Sequence, residues 1–180
     1  MKHLKNMVAL LMVLTLTIPV MGQSKKDKKV IKDADKAVQT LLKVNPNMRH
    51  YFDKSAGCVI FPNVGKGGFI VGGASGNGVL YQYGVKKGMA HLAELNIGLE
   101  LGGEALIEII FFETLDEVNK FKEGKFQFDA GITATAIKSG ISYDAKYKDG
   151  VAVFTHAKGG LMAEASVGGQ KFKYKPFDEM

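Results

Sequence analysis

Cysteine is nearly absent from this sequence, and tryptophan is absent altogether. Cys58 is the only cysteine among 180 residues, so no disulfide can form within the chain. It lies between Gly57 and Val59 at the start of an apolar run, and we interpret it as a small buried hydrophobe rather than a reactive thiol. A single cysteine also excludes the paired-cysteine spacing of structural zinc sites.

Histidine is scarce, and the usual catalytic patterns are missing. His50, His91 and His156 are scattered over three predicted elements without an HxxxH pair, and no GxSxG elbow supplies a nucleophile. The run from Ala56 to Tyr81 is rich in glycine, but its spacing fits neither GxxxxGK(S/T) nor GxGxxG, and no helical pattern follows it. We therefore expect no catalytic residue, no metal site and no cofactor.

The N-terminus has the pattern of a secretory signal. Two lysines precede an apolar run from Met7 to Val20, and small residues suit cleavage between Gly22 and Gln23. A membrane anchor is the alternative, but the run is shorter than the roughly 18–20 apolar residues that a spanning helix needs. Removing residues 1–22 takes away two lysines and no acid, so the formal net charge falls from +6 to +4. We expect the mature chain to be extracytoplasmic, in the periplasm of a two-membrane bacterium.

The remaining chain predicts an α+β domain. After a basic leader at residues 23–29, apolar residues recur at spacings of three and four, which predicts a helical part over about residues 30–55. The period then falls to two, so about residues 57–175 are predicted to be rich in strands. We predict one domain over residues 30–180, with an N-terminal helical segment plus a curved antiparallel sheet or partly closed barrel of about seven to nine strands and one inserted short helix.

Local signals predict where these elements begin and end. Pro62-Asn63 predicts the end of the first strand, with tight turns around Asn63–Gly68 and Ser75–Gly78. The sequence Thr114-Leu115-Asp116-Glu117 is a capping box, which predicts the start of the inserted helix. Clean alternation from Phe126 to Ala136 predicts a long strand after that helix.

Four ordered blocks of the sequence resemble the SYLF domain, a lipid-binding module of bacteria and eukaryotes. They are Ala56–Tyr81, Asn96–Gly103, Ile109–Phe128 and Lys158–Ala163. The resemblance covers about Ala34 to Val167 and implies binding of phospholipid or phosphoinositide at membrane surfaces, without catalytic residues. The chain departs from the family in a displaced glycine pair before Leu-Glu-Leu and in its last residues, so the last strand is the part least covered by the resemblance. Actin coupling, which the resemblance implies for eukaryotic relatives, is not expected of a secreted bacterial-type protein.

Lysines cluster at the head of the predicted N-terminal helix. The main candidates for lipid contact are Lys25, Lys26, Lys28, Lys29 and Lys32, and secondary candidates expected on turns are Lys66, Lys86 and Lys87. Each lysine near anionic headgroups contributes about 1 kcal/mol. We expect these lysines to neutralise phosphate while an apolar helix face or a loop inserts shallowly. A solvated tether after the signal peptide is the alternative for the first cluster.

The predicted function is non-enzymatic binding of anionic phospholipid headgroups at an envelope membrane surface. The alternative is a structural or interaction protein of the cell envelope that binds a protein partner through its sheet edge or its amphipathic helix. An enzyme would need a polar pocket that gathers His91 or His156 with carboxylates. Nucleic acid is not an expected partner, because basic and aromatic residues do not interleave. Lipid specificity and oligomeric state stay open.

Overall fold

The computed structural model confirms an α+β fold with an N-terminal helical segment and a curved sheet. It describes residues 24–68, 71–97, 104–126, 128, 133–137, 146–158, 165–166 and 169–179. The signal-like segment lies outside these described residues.

Two helices open the described chain. Helix α1 spans Lys25–Val44 and helix α2 spans Met48–Lys54. The helix begins at Lys25, so most of the predicted basic leader is its first turn and not an unstructured tether. The cause is a capping box that was not predicted: the Ser24 hydroxyl accepts from the backbone N–H of Asp27, and the Asp27 carboxylate accepts from the backbone N–H of Ser24.

The strands form one open sheet. In chain order the strands β1 to β8 are Gly57–Gly68, Val71–Gln82, Val85–Ile97, Glu104–Phe112, Thr133–Ala136, Val151–Ala157, Ala165–Ser166 and Lys171–Pro176. Their order across the sheet is β7-β5-β6-β4-β1-β2-β3-β8. All neighbours are antiparallel except β5 and β6, which are parallel. The sheet predicted as antiparallel therefore contains one parallel pair, and within the described residues it does not close into a barrel.

A short helix, α3, is inserted between β4 and β5 and spans Leu115–Lys122. Its start confirms the predicted cap, since the Thr114 hydroxyl accepts from the backbone N–H of Asp116 and also donates to the Glu117 carboxylate. A single 3-10 turn, Phe177–Glu179, follows β8.

The sheet curls so that strands distant in the sheet order meet on one face. The Gln170 side-chain amide donates to Glu94 of β3 at 2.9 Å and to Glu108 of β4 at 3.1 Å, although β1 and β2 lie between these strands. We call this concave side the inner face. Its core combines strand residues such as Phe61 and Phe112 with Phe121 of α3.

Helices α1 and α2 cover part of the opposite, outer face. The buried stripe of α1, with Ala34, Ala37 and Leu41, belongs to the same core as Ile60 and Phe111 of the sheet. Leu41 is fully buried, as are Ile60 and Phe111. The apolar side of the predicted amphipathic helix is therefore occupied by the protein's own sheet.

Two turn predictions in the glycine-rich run are wrong. Strand β1 continues through Pro62 with a register shift between Ile60 and Asn63, and a bulge tolerates a residue that lacks an N–H. Strand β2 runs straight through Ser75–Gly78. At Gly78 an added Cβ would lie 2.5 Å from the Ile60 carbonyl oxygen, so this glycine permits close approach of two strands.

The hairpin between β2 and β3 turns instead at Tyr83 and Gly84, whose φ angles are 49° and 75°. Two consecutive residues with positive φ are typical of the tight turn that matches the twist of paired strands.

The long strand predicted from Phe126 is also wrong at its start. Phe126 and Phe128 lie outside any strand and pack with Phe121 and Phe172 on the inner face, and the described strand is β5 alone. The sequence also predicts strands at residues 141–147, which alternate, and at residues 161–167, but 141–145 and most of 161–167 lie outside the described residues.

Candidate functional site

The lysines predicted for lipid contact lie on separate surfaces. Lys25, Lys26, Lys28, Lys29 and Lys32 are all exposed on the first two turns of α1. Lys29 forms an ion pair with Asp33 at 2.7 Å, and Asp27 is held in the helix cap, so this cluster retains a positive excess on a rigid element.

The three secondary lysines lie in strands and not in turns. Lys66 lies in β1, opposite Ala74 of β2 and Glu104 of β4. Lys86 and Lys87 are the second and third residues of β3, directly after the hairpin turn. The Lys86 ammonium contacts the Asp35 carboxylate of α1 at 2.7 Å, so only Lys87 of this pair leaves its charge open to solvent.

The hairpin turn carries an exposed apolar surface beside these lysines. Tyr83 is 66 % exposed and Val85 is 56 % exposed. Lys122 of α3 reaches the same place, where its ammonium donates to the Gln82 side-chain oxygen at 2.7 Å. Burial lowers the pKa of Lys122, and the nearby charge of Lys87 lowers it further. We call Tyr83, Val85, Lys87 and Lys122 the hairpin tip.

A cavity of about 580 Å³ lies between the two N-terminal helices and the outer face of β1 and β2. Its apolar lining is supplied by Val38, Leu42, Phe52, Cys58 and Ile60. Polar residues Asp35, Gln39, Arg49, Asp53 and Ser55 complete the wall, together with Tyr81 and, from the hairpin, Tyr83 and Gly84. We call this space the helix–hairpin cavity. Tyr83 belongs both to it and to the hairpin tip, so the two features are continuous.

The charged side chains that line the cavity differ in how many hydrogen-bond partners they have. Asp35 accepts a hydrogen bond from the Tyr81 hydroxyl at 3.0 Å and another from Lys86 at 2.7 Å. Burial, followed by the contact with Asp35, raises the pKa of Tyr81 well above its ordinary range, so the phenol stays protonated. The Arg49 side chain forms no ion pair or hydrogen bond within the described part of the chain. Its guanidinium is therefore the open cation of the cavity wall.

A second, polar cleft of about 390 Å³ lies on the other flank of α1. It is lined by Asp33, Lys36, Ala37, Thr40, Asn63, Ile107, His156 and Lys158. Lys158 donates to the Asn63 side-chain oxygen, and burial lowers the pKa of Lys158. His156 shares this cleft with a carboxylate, Asp33. That carboxylate already accepts from Lys29, which lowers its pKa, while the His156 ring contacts the carbonyl of Ile137 at 3.2 Å.

The inner face holds a buried polar group that the sequence interpretation missed. Glu94, Glu108 and Gln170 are each at most 3 % exposed, and the glutamine bridges the two carboxylates. His91 pairs across strands with Asn77 on the outer face, so it does not join them. Among the described residues, no three His, Cys, Asp or Glu side chains are grouped as metal ligands would be.

Neither a protein-family model nor a curated protein matches this chain. The resemblance to the SYLF domain therefore stays a prediction from the four sequence blocks. No helix of the described chain has the length and apolar character needed to cross a bilayer.

Lys87 is the one residue of the hairpin tip that was predicted as a site residue; Tyr83, Val85 and Lys122 were not predicted, and neither was Arg49. Tyr83-Gly84 between two alternating segments is a turn signal, but Asn77-Gly78, inside the turn predicted at Ser75–Gly78, is a stronger one. The sequence does single out Arg49, because it is the only arginine among 24 basic residues.

Proposed function

We propose that this protein binds anionic phospholipid at an envelope membrane surface and catalyses no reaction. The observation that carries the proposal is the hairpin tip, where Tyr83 and Val85 are exposed beside Lys87 and Lys122. Exposed large hydrophobic side chains can contact the apolar acyl region of a membrane, while neighbouring lysines contact its anionic headgroups.

The energetics favour shallow insertion of this loop. Tyrosine places an apolar ring and a polar hydroxyl at the level of the headgroups, and full burial of a valine side chain is worth about 1.5–3 kcal/mol. Each lysine near an anionic surface adds about 1 kcal/mol. These contributions are individually small, so binding is expected to be reversible and to weaken as salt screens the lysines.

The role predicted for α1 changes as a result. Its apolar side packs on the sheet, so insertion of that helix face is not part of the proposal. The lysines on its first turns remain available for electrostatic attraction. Of the two insertion modes considered from the sequence, the loop is the one that the exposed residues support.

The test is co-sedimentation with vesicles of phosphatidylcholine alone and with vesicles of equal parts phosphatidylcholine and phosphatidylglycerol. We expect binding to the mixed vesicles only. The double variant Y83S/V85S should lower the bound fraction severalfold, because it removes the inserting side chains and leaves every lysine in place.

Leu115→Ser is the matched control. Leu115 is 40 % exposed at the first residue of α3 and is not part of the hairpin tip, so its loss removes exposed apolar surface and leaves the residues of the hairpin tip unchanged. Equal binding to neutral and anionic vesicles, or an effect of L115S as large as that of Y83S/V85S, would refute the proposal.

A protein partner in the envelope is the alternative function. The version of it that uses the amphipathic face of α1 has less support, because that face lies against Ile60 and Phe111. Capture of the protein by envelope protein, with no binding to either vesicle, would favour this alternative.

A further inference from the structure

We infer that the helix–hairpin cavity holds one acyl chain of a membrane phospholipid, with the lipid phosphate on Arg49. The inference rests on the proposed function, since the membrane supplies the lipid. It adds a site of defined chemistry: an apolar slot for a chain and a cation for its head.

The size and lining of the cavity fit a chain. Its volume of about 580 Å³ lies within the range of about 300–1,000 Å³ that is usual for small-molecule sites. Val38 and Leu42 of α1, Phe52 of α2 and Ile60 of β1 give it aliphatic and aromatic walls. Burial raises the pKa of the Cys58 thiol to about 12, so this residue contributes a neutral, apolar sulfur and no charge.

The cations and anions around the cavity favour a phosphate at Arg49. Lys86 and the Tyr81 hydroxyl already satisfy Asp35, which removes that carboxylate as a repelling charge. Arg49 keeps its five donors open within the described residues, and a guanidinium binds phosphate through two parallel hydrogen bonds. Asp53, one turn further along α2, lines the same wall. It can accept from an amine in the headgroup, so headgroups with and without an amine are compared in the test.

The position of the cavity gives the chain a route from the bilayer. Tyr83 lines the cavity and is also the more exposed of the two large hydrophobic residues of the hairpin tip. Docking of the hairpin tip would therefore bring the cavity entrance to the depth of the headgroups. A chain that leaves the bilayer there remains covered by apolar side chains.

The first measurement is binding of single-chain lysophospholipids, below their micelle concentration, to the full mature protein by calorimetry. Lysophosphatidylglycerol and lysophosphatidylethanolamine are the two probes, and glycerol phosphate is the headgroup without a chain. We expect both lysolipids to bind with one site per protein and glycerol phosphate to bind at least about tenfold more weakly. A stronger signal from glycerol phosphate than from the lysolipids would mean an anion site without a chain slot and would overturn the inference.

Variants separate the chain slot from its anchor. R49Q should weaken lysolipid binding about tenfold, because a charge-assisted pair of hydrogen bonds is lost. Lys54→Gln makes the same charge change at an exposed position of α2 that does not line the cavity, and it should change nothing. V38F should fill the slot and abolish lysolipid binding while vesicle sedimentation is retained.

A probe with a photoreactive group at the end of its chain covers the case in which V38F does not fold. Crosslinks to the residues that line the cavity, which fall within 35–60 and 81–84, support the inference, and crosslinks confined to other parts of the protein overturn it. Failure of the inference is also distinct from failure of the proposed function. Normal vesicle binding without lysolipid binding would refute the acyl-chain site and would leave the proposal of membrane docking standing.

Discussion

Cys58 lies in the wall of the helix–hairpin cavity with 5 % of its surface exposed. Its neighbours are apolar, and burial is the cause that raises the pKa of its thiol from 9.0 to about 12. A cysteine that stays protonated is a poor nucleophile and metal ligand. Cys58 is therefore a packing residue, in agreement with its predicted role as a small buried hydrophobe.

The thiol should react only when the protein unfolds. We expect a disulfide exchange reagent to modify Cys58 at pH 8 orders of magnitude more slowly in buffer than in urea, because attack requires the thiolate. The folded pKa is raised, so the contribution of this residue to stability is complete below about pH 9 and declines as the pH rises toward about 12.

The stability slope can be measured by urea unfolding at increasing pH. Cys58→Ala removes the first part of the decline, between pH 9 and 10, before buried tyrosines such as Tyr147 contribute. Rapid thiol modification of the folded protein, at the rate seen in urea, would contradict the assignment.

At the scale of elements, α1 has a packed side and an exposed side. One side packs Ala34 and Leu41 on the sheet, and the other carries a lysine cluster whose acid neighbour Asp27 is held in the helix cap. A packed helix presents its lysines in fixed positions, so they lose less side-chain and backbone freedom on binding than a flexible tether would.

Charge reversal of K25E/K26E/K28E/K32E should weaken binding to anionic vesicles more than tenfold. Folding should be unaffected or slightly favoured, because acidic residues in the first turn of a helix are stabilising. The melting temperature reports the second part of this expectation. K43E/K54E is the control, because these lysines lie at the far ends of the two helices. Unchanged vesicle binding after reversal of the four charges would exclude a role for the lysine cluster.

The helices and most strand positions were predictable because local periodicity determines them. The capping residues of α3 and the apolar residues at spacings of three and four in α1 are examples. The path of β1 was not predictable, because Pro62 is accommodated by a bulge whose register is set by two neighbouring strands. The same holds for Phe126 and Phe128, which alternate like a strand but are drawn into an aromatic cluster with Phe172.

At the scale of the whole molecule, the curl of the sheet determines which residues from distant strands come into contact. Gln170 precedes β8 and joins strands β3 and β4 from the inner face. No spacing in the sequence relates positions 94, 108 and 170, and none relates Arg49 to Tyr83. Both the polar bridge and the helix–hairpin cavity are products of tertiary structure, and this explains why neither was predicted.

Loss of the glutamine bridge should destabilise the whole domain. We expect Gln170→Ala to lower the free energy of unfolding by about 1–3 kcal/mol, because two buried carboxylates each lose a donor. Urea unfolding followed by circular dichroism measures the change. Asn119→Ala, which truncates an exposed amide on α3, should stay within about 0.5 kcal/mol of the wild type. An equal loss in both variants would mean that the bridge contributes nothing specific.

The open sheet has one further consequence, which follows from the alternation of β8. Lys171, Lys173 and Lys175 are exposed along this last strand of the sheet, while Phe172 faces the core. A second copy adding to this strand would bring rows of like charges together, and such lysines are a common defence of strand edges against pairing. The exposed edge strand β8 is therefore protected from pairing with other chains at high protein concentration. Because the protection is charge repulsion, it weakens as the ionic strength rises.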